Sequence, residues 1–305
     1  MKRDILSVLD MKNDFEEIID RSIKFKKQRY TSVPELQNRM LGMIFEKPST
    51  RTRISLQTAM EQLGGHAIYL NPNDMQIGRG ETIEDTGRVL SGFLDIISYR
   101  AFSHKSVASL AASSRVPVIN ALDDLEHPVQ MLADFMTLKE IKGTLSGMKV
   151  TYLGDGNNVA NSLALSCALV GSDFTIGCPR GYEPNKILME KSREVGKTSG
   201  SRIEVVNDPK KAAESADVVY TDVWVSMGEE KEKEAREKVF MPYQVNEENL
   251  DHASKNYIFL HCLPAHRSLE VSADIIDGGH SAVFQEAENR LHTSKGLIYT
   301  ILVED

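Results

Sequence analysis

Residues 40–70 read MLGMIFEKPSTRTRISLQTAMEQLGGHAIYL, and the order of patterns in this stretch decides the fold. Residues 40–45 form a short apolar run, as in a strand buried on both faces. A polar segment follows. In residues 52–63, Leu56, Ala59, Met60 and Leu63 then fall on one helical face. Gly64-Gly65 stops that helix, and residues 67–70 read as a second strand. Strand, helix and strand in succession imply a parallel sheet covered by helices.

The alternation continues outward. Residues 96–99 and 116–120 read as strands, and 82–93 and 105–114 as helices. A long helix is expected from Pro128 to about Ile141, since proline suits the first helical turn and Gly143 suits the stop. Residues 142–147 then form a boundary. Beyond it come strands at 149–153, 173–176, 202–206, 218–221 and 257–260, with helices between several of them. Residues 229–238 are densely charged and read as a solvated helix or a mobile loop. Residues 283–302 have helical apolar spacing. The expected architecture is α/β, with two similar-sized domains, each a mostly parallel sheet covered by helices. The first covers residues 1–142, with a C-terminal helix at about 286–305 packing back on it; the second covers 143–285. A chain of 305 residues suits two such cores. The active site is expected in the interdomain cleft, in loops at the C-terminal ends of the strands.

Composition narrows the partners. Lys and Arg total 36 against 44 Asp and Glu, a net charge of −8, which disfavours nucleic acid as the main partner. An acidic chain can still hold a basic pocket for a small anion. Three cysteines, without a CxxC pair, offer no closed disulfide framework and fit a reducing compartment. The opening MKRDILSVLDMKND has no apolar stretch of signal-peptide length, and there is no apolar run long enough to span a membrane. The cytoplasm is the expected location.

Seven segments carry candidate chemistry. In Phe45-Glu46-Lys47-Pro48-Ser49-Thr50-Arg51-Thr52-Arg53 a helix opens after a strand. Its N–H groups, the hydroxyls of Ser49, Thr50 and Thr52, and the fork of Arg51 suit a phosphate. A lone STRTR reads equally as a capped helix with surface arginines. Arg100 closes the strand at 96–99. His127-Pro128-Val129-Gln130 places an imidazole and an amide where they can donate to an oxygen gaining negative charge, although a lone His127 reads as a cap. In Gly154-Asp155-Gly156-Asn157-Asn158-Val159 the dinucleotide pattern fails, because Val159 stands at the third glycine position. The Asn pair instead offers amides. Asp222 opens Asp222-Val223-Trp224-Val225-Ser226-Met227-Gly228, as a carboxylate suited to an ammonium group in a hinged lid or an ordinary loop. His261-Cys262-Leu263-Pro264-Ala265-His266-Arg267 lacks a usual zinc spacing and admits a buried structural cysteine. Glu286-Ala287-Glu288-Asn289-Arg290 enters the last helix; Arg290 can reach the site, or the segment is a solvated face.

Taken together, FEKPSTRTR, MQIGRGE at 75–81, YRA at 99–101, HPVQ, GDGNNVANS, DVWVSMG, HCLPAHR and FQEAENR resemble the ornithine carbamoyltransferases. The resemblance runs from residue 45 to residue 290. It implies a domain binding carbamoyl phosphate followed by one binding L-ornithine, with no metal and no organic cofactor. It assigns Ser49, Thr50, Arg51 and Thr52 to the phosphate, with Arg100, His127 and Gln130 at the carbamoyl group. Cys262, Leu263 and Arg290 complete that site, and Gln76 comes from a neighbouring subunit, so that a trimer or a multiple of trimers is expected. Asn158, Asp222, Ser226 and Met227 would meet ornithine. Arg100, His127, Gln130 and Cys262 are the expected catalytic group, with Cys262 also helping Asp222 to position ornithine. The rivals are an enzyme acting on aspartate, which would need cations for a second carboxylate, one acting on putrescine, and a non-catalytic ligand-binding relative.

Overall fold

A computed structural model describes residues 2–29, 34–77, 79–225 and 230–304. The elements run α1 (Phe15–Lys27), β1 (Met40–Phe45), α2 (Arg51–Gln62), β2 (His66–Leu70), α3 (Ile83–Leu90), β3 (Ile96–Arg100), α4 (His104–Ser113), β4 (Val118–Leu122) and α5 (Pro128–Lys142). They continue with β5 (Lys149–Leu153), α6 (Asn158–Val170), β6 (Asp173–Gly177), α7 (Lys186–Ser199), β7 (Ile203–Val206), α8 (Pro209–Ala213) and β8 (Val218–Tyr220). Last come α9 (Lys233–Phe240), β9 (Ile258–Leu260), α10 (Ala273–Ile276) and α11 (Val283–Tyr299). No described helix is long and apolar enough to cross a membrane. The chain divides into two compact units: Met1–Met136 with Glu288–Asp305, and Thr137–Ala287.

The first unit holds a four-stranded sheet in the order β2-β1-β3-β4, all parallel. Strand β1 is buried along five of its six residues, as its unbroken apolar sequence requires. Ile44, Ile97, Tyr99, Val107, Leu110 and Val118 form one core cluster. Each such aliphatic side chain stabilises the fold by roughly 2 kcal/mol on full burial. β4 starts at Val118 rather than residue 116, because Pro117 has no N–H to give the ladder. The Pro117 carbonyl still accepts from Ile97 N–H at 2.9 Å, and Asp4 Oδ1 accepts the Val118 N–H at 2.8 Å.

The second unit holds a five-stranded parallel sheet in the order β7-β6-β5-β8-β9. Leu153, Ala212, Val219, Val245, Phe259, Val271 and Ile275 build its core. In both sheets the strand order reverses once, at β1/β3 and at β5/β8. The loops diverge there and open a crevice at the C-terminal strand ends.

Of the charged segment at 229–238, residue 229 lies outside the described residues, and residues 230–238 are only partly solvated. Within α9, Arg236 is buried, pairs with Asp155 and donates to the Trp224 carbonyl. Trp224 is itself buried and stacks on Phe240 with the ring centroids 6.0 Å apart. Helix α9 is therefore anchored, because Arg236 and Phe240 face inward.

Candidate active site

In the first unit, β1 delivers Glu46 to Thr50 to the start of α2, while β3 ends on Arg100 and the loop after β4 ends on His127. Ser49 Oγ accepts the Thr52 N–H at 3.2 Å, and Thr50 is the exposed N-cap residue. This opens α2 with Arg51 in its first turn, where the helix dipole favours an anion. Arg290 reaches in from α11, donating to Gln130 Oε1 and, at 3.0 Å, to Thr52 Oγ1. Gln130 in turn donates to Asp134 Oδ1 at 2.7 Å, one helical turn along α5. Thr52, Arg100, His127, Gln130 and Arg290 are all less than 10 % exposed.

The electrostatics of this cluster follow from its charges. Burial pushes the His127 imidazole well below its ordinary pKa, and the cations Arg290, Arg100 and Arg51 push it further. His127 is therefore neutral at pH 7, with one ring N–H able to donate. Lys47, lowered first by burial and then by Arg100, adds a fourth cation and lies 4.8 Å from the Phe102 ring centroid. Several positive groups acting on one buried imidazole suit a small anion. Glu46 is spoken for elsewhere: it accepts from Tyr99 Oη at 2.6 Å and from Phe102 N–H at 2.7 Å, which fixes the loop behind Arg100.

In the second unit, Asp222 stands just past β8 and Cys262 just past β9. Cys262 Sγ donates to Asp222 Oδ1 at 3.1 Å. The other Asp222 oxygen accepts from Asn157 Nδ2 at 2.9 Å. Leu263 has φ +57, a left-handed conformation uncommon for a side chain of its size, and its N–H is held by His261 Nδ1 at 2.9 Å. Two buried acids support this turn. Glu286 accepts from His261 N–H at 3.0 Å and from Tyr220 Oη at 3.3 Å. Glu270 faces His261 Nε2 at 3.4 Å. Burial works to raise the Glu270 pKa, but hydrogen bonds from His261 and from the His266 N–H outweigh it and leave the carboxyl below its usual range. Burial, followed by Asp222 and Asp155, raises the Tyr152 pKa well above the usual range and keeps its hydroxyl protonated.

Asp222, His261 and Cys262 form the one group of three or more potential ligands within reach of a shared ion among the described residues, their atoms lying within 4.8 Å of one another. His261 has Nδ1 engaged by Leu263 N–H and Nε2 turned to Glu270. The set thus lacks a free imidazole lone pair, and its residues fit a hydrogen-bonded positioning pair better than a zinc tetrahedron.

Of the residues expected from sequence, the structure gathers Ser49, Arg51, Thr52, Arg100, His127, Gln130 and Arg290 in one unit, and Asn158, Asp222, Cys262 and Leu263 in the other. Asn158 opens α6 half-buried. Gln76 is exposed on a turn, and no hydrogen bond among the described residues ties its side chain to the arginines. Ser226 and Met227 lie outside the described residues. The solvated-face alternative for 286–290 fails, since Glu286, Asn289 and Arg290 are buried. Lys47, Asp134, Glu270 and Glu286 were given no role from sequence, and Asn157 only that of one amide of a pair. Asp134 had a signal, its position four residues after Gln130 on one helix. Glu286 had none, because its partners are supplied by distant strands.

Cations and hydroxyls around a neutral imidazole in one unit, and a carboxylate–thiol pair in the other, suit a group-transfer enzyme with an activated phosphate as donor. Residues 3–140 match the carbamoyl-P binding domain, and residues 146–301 the Asp/Orn binding domain, of the aspartate/ornithine carbamoyltransferases, and the chain belongs to that family. It is 61 % identical over 302 residues to the ornithine carbamoyltransferase of Picrophilus torridus, covering 99 % of this chain and 100 % of that one. It is 60 % identical to a catabolic ornithine carbamoyltransferase of Thermoplasma volcanium, covering 99 % of both. Among solved structures, the ornithine carbamoyltransferase of Pyrococcus furiosus is 47 % identical, with a TM-score of 0.95 over 98 % of this chain and 97 % of that one.

Proposed function

We propose that the chain transfers the carbamoyl group of carbamoyl phosphate to the δ-amine of L-ornithine, giving L-citrulline and phosphate. The observation that carries this reading is the set of Arg51, Arg100 and Arg290 around a buried, neutral His127. Ser49, Thr50, Arg51 and Thr52 hold the phosphate, and Arg100, His127 and Gln130 hold the carbamoyl group. The neutral amine attacks the carbonyl carbon. A C–N bond forms and the C–O bond to phosphate breaks. The amine proton leaves with the departing phosphate, so the products are citrulline and hydrogen phosphate. Charge builds on the carbonyl oxygen, where His127 N–H and Arg100 donate; fixed donors of this kind typically contribute about 3 kcal/mol each. Because the donor carries its own leaving group, alignment and charge stabilisation are the protein's tasks.

Asp222 takes a positive group of ornithine, and Cys262, hydrogen-bonded to it, positions the side chain, with Asn158, Ser226 and Met227 completing the amino-acid site. The relatives named above support ornithine as the acceptor. We further infer a trimer, or a multiple of trimers, in which Gln76 serves a neighbour's site, and a cytoplasmic location in keeping with three free cysteines. Incubation with carbamoyl phosphate and each of ornithine, putrescine, lysine and aspartate, with ureido products measured, tests the reading. Citrulline should form at least about a hundredfold faster than the other products. A preference for putrescine or aspartate would reassign the acceptor.

A further inference from the structure

We infer that Asn157 is a positioning residue for the amino-acid substrate, using one side chain both to cap α6 and to fix the carboxylate of Asp222. The inference deepens the reading of the Asp222–Cys262 pair as the ornithine site. It rests on three observations.

The first is that the two ends of the Asn157 amide have separate partners. Its Oδ1 accepts from Val159 N–H at 3.0 Å and from Ala160 N–H at 3.1 Å, the cap of α6. Its Nδ2 donates to Asp222 Oδ2 at 2.9 Å. Because Oδ1 is committed to the helix, the amide cannot flip, and its donor end must point at Asp222. The second is that Asp222 is held from both sides. Oδ1 accepts from Cys262 Sγ at 3.1 Å and Oδ2 from Asn157, so the carboxylate plane is set by the loops after β5 and β9. Asp222 is 8 % exposed, and a carboxylate in that setting has few waters to hold it otherwise.

The third is that the loop bearing Asn157 is itself fixed. A Cβ on Gly156 would lie 2.2 Å from Pro184 N, and the Gly156 N–H donates to the Tyr182 carbonyl at 2.9 Å. Asp155, next to it, is tied to the buried Arg236. The other groups facing this corner are Tyr152, whose hydroxyl lies 3.4 Å from Asn157 Oδ1, and His261 with Glu270 behind Cys262. The amide donor to Asp222 comes from Asn157, beside the Cys262 thiol.

A residue that only caps a helix is replaceable by any good cap; one that also orients Asp222 is not. Asn157→Asp and Asn157→Ser both keep an oxygen for the α6 cap, and both rank among the preferred N-cap residues. Neither presents an amide N–H to Asp222. Each full-length variant is assayed for citrulline with ornithine and carbamoyl phosphate varied in turn, alongside its melting temperature. Both variants should fold. Their KM for ornithine should rise roughly tenfold or more, with the KM for carbamoyl phosphate within about twofold of the parent, since a lost charge-assisted hydrogen bond is worth on the order of a tenfold effect. The larger rise is expected for Asn157→Asp, which sets two carboxylates face to face. An unchanged ornithine KM in both variants, or failure of both cap-retaining variants to fold, would make Asn157 a purely structural cap and overturn the inference. A parent enzyme that makes no citrulline would instead sink the ornithine reading on which it rests.

Discussion

His127 shows how burial and charge select one protonation state. Three guanidinium groups and an interior position hold its imidazole neutral, so its ring N–H is a permanent donor over the working pH range. The kcat of the saturated enzyme should therefore show no acid limb near pH 6.5, the ordinary histidine value. His127→Ala should lower kcat by about 10²–10³, and His127→Gln, which keeps an N–H donor, by less. An acid limb near pH 6.5 that vanishes in His127→Gln would show a charged imidazole at work. The preceding residue behaves oppositely. Burial raises the carboxyl of Glu126 to about 7, against hydrogen bonds from Ser7 and the Val8 N–H that lower it, with Asp123 also raising it. The folded state thus keeps a proton that the unfolded chain releases near pH 4.5. The resulting stability is full below that value and is lost as pH rises through about 7. Glu126→Gln removes this dependence. Aligned on equal stability at pH 4.5, it should exceed the parent by up to about 3 kcal/mol at pH 8 in urea unfolding. Parallel curves across that range would refute the linkage.

Loops built between regular elements carry the site, and their construction explains what was legible beforehand. The apolar run at 40–45 and the helical face of Leu56, Ala59, Met60 and Leu63 appear in the structure as β1 and α2, since period and length follow from local sequence. Helix α1 was not read, although Phe15, Ile18, Ile19, Ser22 and Phe25 are its buried positions at helical spacing. The same local reading missed Arg236, because charge density on α9 hides the one residue that turns inward. Arg51, Arg100 and His127 were visible as unusual residues at strand and helix ends. The role of Glu286 and the Asp222 partner of Asn157 were not, because they are defined by contacts 25 and 65 residues away. Gly156 offers a test at this scale. Any side chain there meets the backbone of Glu183 and Pro184 at under 2.5 Å, so Gly156→Ala must shift the loop that opens α6. It should destabilise the protein by about 1–3 kcal/mol and raise the KM for ornithine, while the KM for carbamoyl phosphate stays near the parent value because residues 3–140, which match the carbamoyl-P binding domain, lie outside the shifted loop. Equal losses in both KM values would mean the shift is not local.

At the scale of the whole molecule, the acidic chain gathers its cations where they are needed. Against a net charge of −8, Arg51, Arg100 and Arg290 surround His127, and Lys47 stands near Arg100. Fields from such partly buried groups are screened less by salt than surface charges are, so a small anion is drawn to one place on a protein that otherwise repels it. Gln76 stands apart from this set, exposed on its turn, while the resemblance to ornithine carbamoyltransferases assigns it to the same phosphate. Both hold if Gln76 completes the pocket of a neighbouring subunit. In that case Gln76→Ala and Arg51→Ala damage different chains' contributions to one site. Each homo-oligomer should be nearly inactive. Co-expressed, the two chains should recover about a quarter of parent activity, because in a cyclic assembly one site in four draws an intact Arg51 from one chain and an intact Gln76 from the next. Light scattering should give a mass that is a multiple of three chains for every sample. If Gln76 served its own chain's pocket, mixing would restore nothing, since every site would keep one lesion.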